Sequence, residues 1–134
     1  MNKLLAVVLV SLAIASSASA KTIRVHMYML PWGLEGNQPV TIDEVRQHPF
    51  FKFEILEGAY ADKFIASLGE GEMTSGFDAE LRDVRLVIEA DEDDGSTRVF
   101  FASRFAIGAS DTGKGRLIDD AFRSRFSGFY FGHG

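Results

Sequence analysis

An α+β domain is what this sequence predicts: an antiparallel sheet of about four to five strands with roughly two to three helices packed on one face. Three observations carry that expectation. Apolar and polar residues alternate over residues 22–29, 50–56 and 82–105, the pattern of half-buried strands. Residues 58–68 and 116–126 place apolar side chains at helical spacing, and Thr41 to Glu44 forms a capping box. The chain also holds 12 Phe and no Cys, so burial of large aromatic side chains has to replace a disulfide framework.

The elements follow in order. Over residues 22–29, Ile23, Val25, Met27 and Met29 point one way and Thr22, Arg24, His26 and Tyr28 the other. Pro31 to Pro39 is a loop by its Pro, Gly and Asn content, and the capping box then starts a short helix that Pro49 ends. Phe50 to Leu56 reads as a second strand with Phe51, Phe53 and Ile55 on one face. A helix over 58–68 would bury Tyr60, Phe64, Ile65 and Leu68 before Gly69 stops it, and residues 69–80 are an irregular connection.

Residues 82–105 predict a hairpin turning at Asp93-Asp94-Gly95-Ser96. Opposing Glu92 with Thr97 sets Ala90 beside Val99, Ile88 beside Phe101 and Val84 beside Phe105, which keeps charge off the core face. On the outward face the same register sets Arg85 against Arg104 and Asp91 against Arg98. Residues 108–115 read as a Gly-rich loop, Arg116 to Phe126 as a helix burying Leu117, Ile118, Ala121 and Phe122, and Gly128 to Gly132 as a last short strand.

Residues 1–20 have the form of a cleavable secretory signal peptide: Lys3, an apolar run from Leu4 to Ala15, and the small-residue site Ala18-Ser19-Ala20. The run falls short of the roughly 18–20 residues that span a bilayer. The expectation is therefore an exported protein, in a bacterial periplasm or secreted, with residues 21–134 as a single domain and no membrane anchor after cleavage. The formal net charge of −5 becomes more negative once Lys3 is removed, which argues against nucleic acid and anionic membranes as partners.

Several constellations invite a chemical reading. Gly108-Ala109-Ser110-Asp111-Thr112-Gly113-Lys114-Gly115 has phosphate-loop spacing, but Gly115 replaces the magnesium-binding hydroxyl and too little chain follows for a parallel sheet. At most a looser anion site at a following helix N-terminus remains. Glu89, Asp91, Glu92, Asp93 and Asp94 cluster oxygens without calcium-loop spacing. His26, His48 and His133 lack metal-ligand spacing, and no Gly-x-Ser-x-Gly elbow occurs. No catalytic residue, metal or cofactor is assigned.

Two surfaces remain as candidates. A basic sheet face of Arg24, His26, Tyr28, Arg85 and Arg104 would suit a small anionic ligand. Trp32, Leu34 and the acidic turn Asp91, Glu92, Asp93 and Asp94 would suit a protein partner. The leading expectation is a non-enzymatic exported binding protein, an inhibitor or neutraliser of another protein among its forms. The alternatives are a small anionic-ligand binder and a cell-envelope hydrolase.

Overall fold

The structure, a computed structural model, describes residues 20–127. Residues 1–19 of the expected leader and the strand expected at 128–132 lie outside the described residues. The elements run β1 (Thr22–Met29), α1 (Ile42–Gln47), β2 (Phe51–Ile55), α2 (Gly58–Ala66), a 3-10 turn (Glu70–Glu72), β3 (Leu86–Glu92), β4 (Thr97–Ala102), β5 (Ala106–Ala109), β6 (Lys114–Leu117) and α3 (Asp120–Ser127). The class is α+β. All pairings of the single sheet are antiparallel, in the order β2-β1-β3-β4-β5-β6. The strands number six rather than about four or five, because residues 106–117 fold as a further hairpin.

The main core lies on the face that carries Val25, Met27, Met29, Leu86, Ile88, Phe100, Ala102 and Ile107, under α2 and α3. From α2 it takes Ala61 and Ile65, with Phe64 packed against it and Leu68 just beyond the helix; of the expected stripe only Tyr60 is exposed, Ala61 being buried in its place. From α3 it takes Phe122 and Phe126, whose rings are 4.9 Å apart, with Phe64 edge-on to Phe126 at 6.1 Å and 89°. The short α1 packs on the opposite face, where Val45 meets Val84 and Val87 with Tyr28, Val99 and Phe101 alongside. Helices on both faces replace the one-face expectation. Leu86-Val87-Ile88 and Phe100-Phe101 carry apolar residues to both sides of the sheet, and both sides need cover.

The hairpin register is displaced by one residue from expectation. Leu86 opposes Ala102, Ile88 opposes Phe100, Ala90 opposes Arg98 and Asp91 opposes Thr97. The cause is the turn. Gly95 is left-handed (φ +88°), its amide donates to Glu92 O at 3.1 Å, and the Glu92 amide donates to Ser96 O at 2.8 Å. This is a three-residue loop ending in a glycine bulge, one residue shorter than the loop expected. The register turns Arg98 toward the main core, a placement that a rule of outward charge rejects. Arg98 is satisfied there by Glu92 and Glu70, and its guanidinium lies 5.4 Å from the Phe100 ring centroid.

Three further corrections follow. Ile23 is exposed and Thr22 buried, because the β1–β3 pairing is irregular between Thr22 and Arg24. Residues 108–115 are not a loop: Gly108 of β5 opposes Gly115 of β6 around the turn 110–113. A Cβ on Gly108 would come within 2.7 Å of Leu81 Cδ1 and one on Gly115 within 2.8 Å of Ile107 O, so both glycines serve close approach. Finally, Arg116 and Leu117 are strand, Leu117 and Ala121 are exposed, and α3 starts later, with Asp119 Oδ1 accepting from the Phe122 amide at 2.9 Å. No helix follows Gly115 directly, so the looser anion site has no helix N-terminus to form on.

Candidate functional site

The candidate site begins with a buried arginine. Arg85, 1% exposed, has its Nη1 and Nη2 at 2.7 and 3.0 Å from the two carboxylate oxygens of Asp83. Nη1 also reaches Val84 O and Nη2 Leu34 O, Nε is buried without a hydrogen-bond partner among the described residues, and Asp83 Oδ1 accepts from the Val40 amide at 2.8 Å. Asp83 is the one non-glycine described residue with positive φ (+67°), a conformation that Asp tolerates better than most. Burial alone would raise the Asp83 pKa, but hydrogen bonds from Arg85 and Val40 outweigh it and hold the carboxyl below its ordinary range. The pair therefore ties the loop 31–40, at Leu34 and at Val40, to the segment that leads into β3.

That loop presents Trp32. Its indole Nε1 donates to Arg123 O of α3 at 3.1 Å, and Arg123 Nη1 donates to Arg104 O at 2.6 Å. Arg104 and Phe105 form the two-residue tip of the β4–β5 hairpin, since Ser103 N bonds Ala106 O at 3.0 Å and Ser103 Oγ accepts from the Phe105 and Ala106 amides. The hydroxyl in turn donates to Glu80 O. Loop, helix and hairpin tip thus enclose an open cleft of about 320 Å³, lined by Trp32, Gly33, Arg104, Phe105 and Arg123. Phe105 is 58% exposed, and the Arg104 guanidinium stands 5.6 Å from its ring centroid. Arg123 pairs with Asp120, but no carboxylate of the described residues lies within 4.0 Å of Arg104.

The expected sites are redistributed. Arg24, His26 and Tyr28 do share one face of β1, the face that α1 covers in part, and there they meet acidic side chains. His26 Nδ1 is 3.0 Å from Glu54 and Nε2 3.5 Å from Asp91, with Arg24 4.0 Å from Asp91. Burial, then a hydrogen bond with Glu89, raises the Tyr28 pKa, and Arg46 pairs with Glu89 at 3.3 Å. Arg85 and Arg104 do not oppose each other: Arg85 is inside and Arg104 lines the cleft beside Trp32. Leu34 is exposed on the loop that carries Trp32.

The acidic run is dispersed over separate tasks. Asp91 accepts from Thr97 Oγ1, and the buried Glu92 takes Arg98 and Thr22. Asp93 takes the Lys21 amide, and Asp94 takes Ser96, whose hydrogen bonds lower the Asp94 pKa. Among the described residues no group of three His, Asp or Glu side chains is placed to hold a metal ion. Arg123 escapes sequence reasoning altogether, because its role depends on where α3 docks. The chain matches no protein-family model, and neither a curated protein nor a solved structure is found to resemble it.

Proposed function

We propose that the protein works by binding, and that the Trp32–Arg104–Phe105–Arg123 cleft receives a segment of a partner protein carrying a carboxylate beside a large apolar side chain. One observation supports this reading above the others: Arg104, which makes no ion pair within 4.0 Å among the described residues and feels the Asp83 charge only at longer range, lines the cleft beside Trp32 and the exposed Phe105 ring. Trp and Arg are the side chains that most often anchor interfaces, and a guanidinium takes a carboxylate in two parallel hydrogen bonds.

The cleft favours a protein segment over a small ligand. Small-molecule sites bury most of the ligand surface in an enclosed cavity, whereas this cleft is open and covers one side only. Leu34, exposed on the same loop, extends the contact surface. The hydrolase alternative has less support: His26 has carboxylate neighbours, but it does not line the Trp32 cleft. Export remains part of the proposal, resting on the leader-like residues 1–20.

Selection of a displayed random-peptide library on the immobilised protein tests the reading. Enrichment of peptides with Asp or Glu next to Leu, Phe or Trp supports it. An output without that pattern, or one enriched equally on the Arg104→Glu protein, refutes it.

A further inference from the structure

The start of β1 sits in an acidic setting. The Lys21 amide nitrogen donates to Asp93 Oδ1 at 3.1 Å, and Lys21 O accepts from the Asp93 amide at 2.8 Å. One residue on, the Thr22 amide donates to Asp62 Oδ1 of α2 at 3.2 Å, and Thr22 Oγ1 donates to Glu92 Oε2 at 3.1 Å. Three carboxylates, from α2, the end of β3 and the β3–β4 turn, thus converge on two consecutive residues. Lys63 of α2 is the basic side chain that lines the same cleft beside Lys21. Thr22 is buried, while Ala20 and Lys21 are exposed, so the Ala20–Lys21 bond is exposed immediately before Lys21, the first residue tied to the turn.

The Asp93 carboxylate suits an α-ammonium at Lys21 better than an internal amide. A neutral N–H offers one proton to Asp93, whereas an α-ammonium at the same atom offers three and a full charge, and charge-assisted hydrogen bonds are roughly twice as strong as neutral ones. The small-residue site Ala18-Ser19-Ala20 ends at the residue before that nitrogen.

We infer that hydrolysis after Ala20 places the mature α-ammonium of Lys21 against Asp93, so that processing itself locks the β1 end of the sheet to the β3–β4 turn. In the cleavage, catalysed by a leader peptidase, water gives its hydroxyl to the Ala20 carbonyl carbon as the C–N bond breaks. The Lys21 nitrogen leaves as an amine and is protonated to the ammonium. This inference rests on the export reading and is independent of the Trp32 cleft.

Two measurements test it together. The exported full chain, recovered and examined by intact mass and N-terminal sequencing, should begin at Lys21; any other first residue, or a retained leader, overturns the inference. In parallel, Asp93→Asn is made in the protein beginning at Lys21 and in one that keeps Ser16–Ala20 in front of it. Asp93 is an exposed turn residue, so both variants should fold. The substitution should lower Tm by roughly 3–5 °C when Lys21 is the first residue, and by less than half as much with the extension. Equal shifts in the two backgrounds overturn the ammonium–Asp93 contact even if cleavage falls where expected.

Discussion

Asp83 and Arg85, two residues apart, make a bidentate ion pair at 2.7 and 3.0 Å in which the guanidinium is buried and the carboxylate sits on left-handed backbone. The pair also takes the Val40 amide and the Leu34 carbonyl, so the loop that carries Trp32 depends on it for position. Removing the carboxylate strands a buried charge. Asp83→Ala should cost about 3–5 kcal/mol in chemical denaturation, because an uncompensated buried arginine costs far more than the pair contributes. Asp83→Asn keeps the left-handed preference and an acceptor for Val40 but also removes the charge, so it should recover only part of that loss.

The same pair makes stability acid-sensitive. The Asp83 pKa in the folded protein lies below its unfolded value, so the stabilisation is fully present above the unfolded value of about 3.9 and is lost as pH falls through the folded one. Unfolding free energy measured from pH 6 down to pH 2 should fall more steeply in the wild type than in Asp83→Asn. Parallel curves would remove Asp83 from the account.

At the far edge of the sheet, Gly108 and Gly115 should resist even a methyl group. Gly108→Ala pushes on the flexible end of Leu81 and should cost about 1–2 kcal/mol, and Gly115→Ala, facing a backbone oxygen, should cost more. Thermal unfolding of both variants checks the order, and a reversed order would contradict the paired-strand description of residues 106–117.

Gly95 sets the register of the central hairpin through its positive φ. Gly95→Ala should destabilise by roughly 1–2 kcal/mol. Gly95→Asn, whose side chain tolerates the left-handed region, should recover much of that loss. Identical losses for the two would mean that the turn does not depend on this geometry.

What was legible in the sequence were the locally encoded elements. The alternation from Val25 to Met29 and the Thr41 cap on the Glu44 amide act within a few residues and stand where their pattern put them, while α2 ends at Ala66, a little before the left-handed Gly69 (φ +74°) expected to stop it. What was not legible depends on partners distant in sequence. Arg98 tolerates the core face because Glu70 and Glu92 meet it there, and Gly108 and Gly115 read as loop because their value lies in what they let approach. The site divides in the same way. Trp32 and Arg104 stood out by residue type, but their meeting, and the part played by Arg123, required the docking of α3 and the tight β4–β5 turn.

The most direct test of the binding proposal uses Trp32 itself, the only tryptophan of the chain and therefore a fluorescent reporter inside the cleft. A library-selected peptide with a carboxylate beside a large apolar residue is titrated against the wild type and against Arg104→Glu, after confirming that the two proteins melt alike. The account predicts a saturable change in Trp32 emission for the wild type and a Kd at least about tenfold weaker for the variant, the loss of at least 1.4 kcal/mol expected when a carboxylate meets a like charge. Equal Kd values, or binding that leaves Trp32 emission unchanged, would contradict it.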